Sequence, residues 1–183
     1  MANLRLAFVN WTFRDDENTE AIGTLGSHDV RLTGQRTVAT NRAPLGTAIL
    51  NGPFTGFHTA SFSPSLLTSD LVENFDLRGG SAFKVEFDAE VKGPAFHLGS
   101  LASTLEFLDL PVSTEVPQLS GEAEKFKVHG NRVTDEVFQP PPGSIQPIDS
   151  DGTVRLSGLF RSIAFSLTPR FTGGEGHDGV HLQ

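Results

Sequence analysis

Hydrophobic and polar residues alternate with a period of two along most of this chain. Phe83, Val85 and Phe87 alternate with charged residues, and the run 163–167 alternates Ile, Phe and Leu with Ala and Ser. Alternation of this kind is typical of β-strands that bury one face. The same kind of pattern predicts further strands at 4–13, 21–25, 30–33, 57–62, 105–107, 126–128, 133–137 and 154–160, and a final strand that holds Val180 and Leu182.

Short stretches rich in glycine and polar residues separate these runs. The stretches GSHD, RGG, HGNR, SDG and TGGEGHDG supply residues that tolerate positive φ or hydrogen-bond to their own backbone. The segment SLLTSDLVENF has the pattern of a short helix, with Ser69 as a cap and Glu73 in the first turn. Many short strands without alternating helices predict an all-β fold, an antiparallel jelly-roll-like β-sandwich with at most one short helix.

Length and linker composition predict a single domain over 1–183. A chain of 183 residues can bury a sizeable core and is short for two domains. The longest polar gap, FQPPPGSIQPIDSDG, contains prolines that cannot donate to a central strand ladder. We therefore expect this gap to be a surface connection within the domain.

Charge and cysteine content exclude several classes of function. The formal net charge is -8 and the 14 basic residues are scattered, so no basic stripe is available for a phosphate backbone. The absence of cysteine excludes disulfides, thiol catalysis and cysteine-based metal sites. Residues 1–13 contain Arg5 and Asn10 and lack the apolar run of a signal peptide or membrane span. We expect no nucleic-acid partner and no direct membrane insertion.

Several segments together resemble the exported β-sandwich domains of bacterial surface proteins that carry a PEP-CTERM sorting tail. They are VNWTF, AIGTLGSHDVRLTG, FTGFHTASFSPSL, FKVEFDAEVKGPAFHLGSLASTLEF, FKVHGNRVT, DGTVRLSGLFRSIAFSLTP and DGVHLQ. The resemblance covers most of the chain, although the Pro-Glu-Pro tail does not follow Gln183. It implies export and an extracellular or cell-surface location, and it supplies no catalytic residues.

Acidic residues near both ends of the chain suggest a calcium site. Asp15, Asp16 and Glu17 follow the first predicted strand, and Glu175 and Asp178 precede the last. If these two strands lie side by side and antiparallel, both acidic groups converge, and hard oxygen ligands of this kind suit Ca²⁺. The alternative is that these acids are solvated turn residues.

Two other groups of acidic residues have competing interpretations. Asp149 and Asp151 are either a fragment of a calcium loop or, as we favour, part of a turn before the strand at Val154. Two carboxylates across a groove could hydrolyse a glycosidic bond, with Glu86 and Asp88 or Glu106 as candidates. A solvated sheet face also explains the run containing Glu86 and Asp88, and we favour that interpretation.

Aromatic content bears on carbohydrate binding. The chain has 15 Phe, one Trp and no Tyr, whereas sugar-stacking surfaces favour Trp and Tyr. Trp11 is therefore the candidate ligand-binding aromatic residue, with core packing as its alternative role.

We predict a non-enzymatic surface or extracellular-matrix interaction module. Its expected partners are other copies of itself, surface or matrix components, or polysaccharide. Two alternatives stay open, a calcium-assisted carbohydrate-binding module and a glycoside hydrolase on a jelly-roll scaffold.

Overall fold

The computed structural model describes residues 9–14, 20–36, 45–49, 63, 75–78, 81–136, 149–169 and 179–182. All regular elements in these ranges are β-strands. In chain order they are β1 Val9–Arg14, β2 Glu20–Leu25, β3 His28–Arg36, β4 Leu45–Ile49, β5 Phe75–Arg78, β6 Ser81–Lys92, β7 Ala95–Leu101, β8 Ser103–Leu108, β9 Gln118–Gly121, β10 Phe126–His129, β11 Arg132–Asp135, β12 Ser150–Arg155, β13 Leu159–Pro169 and β14 Gly179–Leu182. This described part has no helix of the length and apolarity that crossing a bilayer requires.

The strands form two antiparallel sheets. One has the order β1-β2-β3-β6-β13-β8-β11-β10, and the other has the order β4-β5-β14-β7-β12-β9. Eight strands, β5 to β8 and β11 to β14, alternate between the sheets in chain order, except that β8 and β11 lie side by side in the eight-stranded sheet. They are arranged as β5-β14-β7-β12 and β6-β13-β8-β11. This is the strand order of a jelly roll, which confirms the predicted all-β sandwich.

Phenylalanine rings join the two sheets. In the eight-stranded sheet, Phe165 stacks on Phe83 with ring centroids 5.4 Å apart. Phe96 of the other sheet makes edge contacts to Phe107 at 5.1 Å and to Phe165 at 6.0 Å. All four side chains are buried, as the period-two pattern predicts for β6, β8 and β13.

The middle of the six-stranded sheet is buried on both faces. Phe96 and Leu98 of β7 belong to the core between the sheets, while His97 points to the opposite face and is still only 5% exposed. On that outer face the Ser63 backbone N–H donates to Thr153 Oγ1 at 3.1 Å, and Thr153 Oγ1 lies 2.9 Å from His97 Nδ1. Burial on both faces removes the alternation, so the sequence pattern did not predict β7.

One predicted strand is in fact two. The apolar run 154–160 predicts one continuous strand, but β12 ends at Arg155 in one sheet and β13 begins at Leu159 in the other. Between them Leu156 is still buried, and Gly158 adopts a φ of 129°. The apolar residues therefore continue through a crossover between the sheets. The predicted strand 57–62 and the predicted helical segment 65–75 lie outside the described residues, except that Phe75 begins β5.

Two glycines make room for a buried phenylalanine. Gly121 and Gly152 pair directly on β9 and β12. The ring of Phe126, which is fully buried, lies against both of them. A methyl group on Gly152 would stand 2.5 Å from Phe126 Cδ1, well inside van der Waals contact. Phe126 begins β10 of the other sheet, so this contact closes the sandwich at the side where β9 and β10 lie.

Candidate binding groove at the sandwich edge

The calcium prediction concerns residues outside the described part of the chain. Asp15, Asp16, Glu17, Glu175 and Asp178 all fall in the undescribed segments, so the calcium site stays a prediction. Its premise about strand pairing is wrong, because β1 pairs with β2 in one sheet while β14 pairs with β5 and β7 in the other. The jelly-roll order places β5 rather than β1 beside the last strand. Within the described ranges, no three acidic or histidine side chains form a group that could hold a metal ion.

Trp11 is described only by its backbone. It lies in β1, at the edge of the eight-stranded sheet, and pairs with Gly23 of β2. A β-bulge follows it, between Trp11 and Phe13. Its side chain is outside the described part, so its role in ligand binding stays a prediction.

The carboxylates considered for hydrolysis form ion pairs on the solvent-facing side of the eight-stranded sheet. Glu86 Oε1 lies 2.6 Å from Lys84 Nζ, and Glu106 Oε2 lies 3.1 Å from Arg132 Nη2. Asp88 is hydrogen-bonded to a ring nitrogen of His28, 3.1 Å away. These contacts agree with the interpretation of a solvated sheet face.

A further ion pair lies on the same face, between β2 and β3. Arg31 Nη2 lies 2.7 Å from Glu20 Oε2. The hydrogen bond that Arg31 donates to this carboxylate raises the pKa of Arg31 above its usual range. This face is therefore covered by charged pairs along several of its strands.

Asp149 and Asp151 hydrogen-bond to Ser100 of β7 in the six-stranded sheet and do not form a turn. Asp151 lies within β12, where it is 6% exposed, and its Oδ1 accepts the Ser100 backbone N–H at 2.7 Å. The Ser100 hydroxyl donates to Asp149 Oδ2 at 2.6 Å. Ser100 has a φ of 50°, which is uncommon for a residue other than glycine. The turn predicted here is wrong, and the two carboxylates instead hold the end of β7 in this conformation.

Substituting Asp151 by alanine is expected to lower the free energy of unfolding by about 2 kcal/mol, because the part-buried Ser100 N–H loses a charged acceptor. Urea denaturation would measure the loss. Glu124→Ala, at an exposed carboxylate, is the control and should change stability by less than about 0.5 kcal/mol. Equal losses in both variants would contradict a stabilising role of the Asp151–Ser100 contact.

A groove of about 550 Å³ lies at the side of the sandwich where β9 and β10 are the last strands of their sheets. We call it the edge groove. One wall is the chain that leads into β9, and the other is the hairpin of β10 and β11. The lining residues are 114–118, Val128, Gly130 and Asn131.

The first wall of the edge groove is an extended strand, one side of which has no neighbouring strand among the residues that the structure describes. Ser157 N–H donates to Glu115 O at 2.9 Å, and Arg155 N–H donates to Pro117 O at 3.1 Å, so residues 115–117 continue β9 along β12. Alternate residues of an antiparallel strand direct their N–H and C=O groups to opposite sides. Val116 and Gln118 therefore direct theirs away from β12, towards the groove that they line.

Two amide side chains in the edge groove are held in place by backbone carbonyls. Gln118 Nε2 donates to Phe126 O at 3.2 Å, and Asn131 Nδ2 donates to Phe107 O at 2.8 Å. A primary amide has two N–H groups and an acceptor oxygen. No hydrogen bond to the amide oxygens of Gln118 and Asn131 is formed by the described residues, so both oxygens can act as acceptors, with little side-chain freedom left to lose on binding.

Sequence reasoning missed the edge groove, because its walls come from different sheets. The segment QLSG of β9 has little apolar alternation, and Pro117 before it suggests a loop. One signal was available: the stretch LPVSTEVPQL has two prolines that limit pairing to one side. That pattern is typical of an edge strand and indicates an open side at this position.

Comparison with protein-family models, with curated proteins and with solved structures finds no match to this chain.

Proposed function

We propose that the chain is a non-enzymatic interaction module of an exported surface or matrix protein, and that it binds its partner in the edge groove. The observation that carries the proposal is an edge strand whose open side lines a groove of about 550 Å³. Grooves of this size accommodate small ligands or short chain segments. Export and surface location rest on the resemblance of the quoted segments to bacterial surface domains.

A carbohydrate-binding module is the second candidate. The observation that favours it is a set of polar groups in the edge groove, namely the hydrogen-bonded amides of Gln118 and Asn131 and the hydroxyl of Thr114. Groups of this type hydrogen-bond to sugar hydroxyls. The described part of the groove lacks an aromatic ring for stacking, which makes this the weaker of the two proposals.

A pair of neighbouring tryptophan substitutions tests the groove as the binding surface. Thr114→Trp places a large side chain in the edge groove, whereas Ser113→Trp places the same side chain on the exposed turn beside it. The wild type and both variants are screened against phage-displayed linear peptides and against a glycan array, with and without calcium. Light scattering on the same samples reports association between copies.

We expect to find ligands that bind Thr114→Trp about tenfold or more weakly than the wild type, because the ring occupies their space. The affinity of the same ligands for Ser113→Trp should be unchanged. Thermal melts of both variants check that the sandwich is intact. If neither library nor self-association gives a ligand that distinguishes the two variants, the edge groove is not a binding surface and the proposed function is wrong.

A further inference from the structure

We infer that the edge groove binds an extended peptide that carries a lysine or arginine, and that the peptide adds a strand beside residues 115–118. This inference rests on the proposed function and names the chemical class of the partner. Three observations carry it: the spacing of the open backbone groups, the shape of the facing hairpin, and the charge of the groove.

The open backbone groups have the spacing of a strand ladder. Val116 and Gln118 are two residues apart on an extended chain, so their outward N–H and C=O groups repeat at roughly 6.6 Å. An extended peptide presents its own N–H and C=O groups with that same repeat, since every second residue faces the same side. Sugar hydroxyls do not present paired N–H and C=O groups at every second residue, so this regularity favours a peptide.

The facing hairpin leaves room for a peptide backbone. Gly130, at the turn between β10 and β11, has a φ of 62°. Apart from its two chain neighbours, no described residue has an atom within 4 Å of the position that a Cβ would occupy. Val128 and Pro117 add apolar surface on either side of the groove. A strand placed beside residues 115–118 would therefore contact apolar side chains while its backbone pairs with Val116 and Gln118.

The charge of the edge groove selects a basic peptide. Glu115 is the one ionisable residue that the groove's described lining contains. Its backbone N–H and C=O bind Ser157, and its exposed carboxylate has no ion pair within the described ranges. The chain as a whole carries a net charge of -8, which adds to the attraction for a cation. A Lys or Arg of the peptide is the complementary group.

The test uses linear peptides selected on the wild-type chain from the phage-displayed library. Each peptide is synthesised with single backbone N-methyl groups at successive positions. Pairing with Val116 and Gln118 predicts that N-methylation at alternate residues lowers affinity about tenfold, while the residues between tolerate it. Hydrogen exchange supplies a second measurement, since the Val116 and Gln118 amides should exchange more slowly in the complex.

Two matched substitutions of glutamate by glutamine test whether the peptide's Lys or Arg pairs with Glu115. Glu115→Gln should weaken binding about threefold and reduce its dependence on salt, because an exposed ion pair is lost. Glu124→Gln removes an equally exposed carboxylate outside the groove and should change neither.

Selected peptides that bind equally well when N-methylated at every position, or that do not respond to Glu115→Gln, would overturn the inference. So would groove-dependent ligands that are all glycans. Each of these three results leaves the proposed function standing, because the edge groove would still be a binding surface. The absence of any groove-dependent ligand is the separate result that overturns the proposed function.

Discussion

Phe165→Ala is expected to lower the free energy of unfolding by about 4 kcal/mol, a value typical of buried phenylalanines whose truncation leaves a cavity. Phe165 is fully buried and contacts Phe83 in its own sheet and Phe96 in the other. Aromatic pairs of this geometry add about 0.5–1.5 kcal/mol each beyond the burial of their area. Losing this ring therefore removes packing between the sheets as well as within one of them.

Urea denaturation measures this loss, with an unchanged m-value showing that the same surface is exposed on unfolding. Leu159→Ala is the control in the same strand, because Leu159 is 57% exposed and its truncation should cost less than about 0.5 kcal/mol. A loss below about 1 kcal/mol for Phe165→Ala would show that the rings do not join the sheets as described.

Gly152→Ala is the second large effect and is expected to cost about 3 kcal/mol, near the upper end for overpacked cores. The added methyl would lie 2.5 Å from the Phe126 ring, and that ring has no exposed surface through which to move. The substitution would force β12 and β10 apart at the edge of the sandwich. Chemical denaturation of the single variant gives the size of the effect.

A double-mutant cycle tests whether the Phe126 ring causes the destabilisation by Gly152→Ala. In the background of Phe126→Leu, where the ring is absent, Gly152→Ala should cost at least about 1 kcal/mol less than in the wild type. Gly130→Ala is the backbone control: it has open space around it and should cost only about 1 kcal/mol, for its φ of 62°. Additive effects of the two substitutions would place the cost of Gly152→Ala somewhere other than the Phe126 ring.

The fold class could be predicted from the sequence because one face of several strands is solvated. In β6 and β13, buried residues such as Phe83 and Ile163 alternate with exposed ones such as Lys84, and this period is visible without any tertiary information. The pattern missed β4, β5, β7 and β9, and for two of these the reason is visible. β7 is buried on both faces, and β9 has mostly polar or small residues, so neither has a period-two signal.

The candidate site could not be predicted in the same way, because it depends on pairing between distant segments. Asp151 next to a glycine suggested a local turn, but its partner is Ser100 on another strand. The edge groove likewise brings Gln118 near Asn131 through a hairpin that belongs to the opposite sheet. Periodicity reports which face of a strand is buried, and it carries no information about which strand lies beside which.

The position of β14 has a consequence for how the chain is made. β14 lies between β5 and β7, and its Leu182 pairs with Phe75, so the six-stranded sheet has a gap until the last strand arrives. Contacts between such distant residues close slowly, because a long loop must be ordered first. While residues 179–182 are still in the ribosome, the facing edges of β5 and β7 lack their partner and are open to pairing with other chains. We therefore expect the sandwich to close only once residues 179–182 have left the ribosome, so that the yield of folded protein depends on how long those two edges stay exposed as well as on final stability.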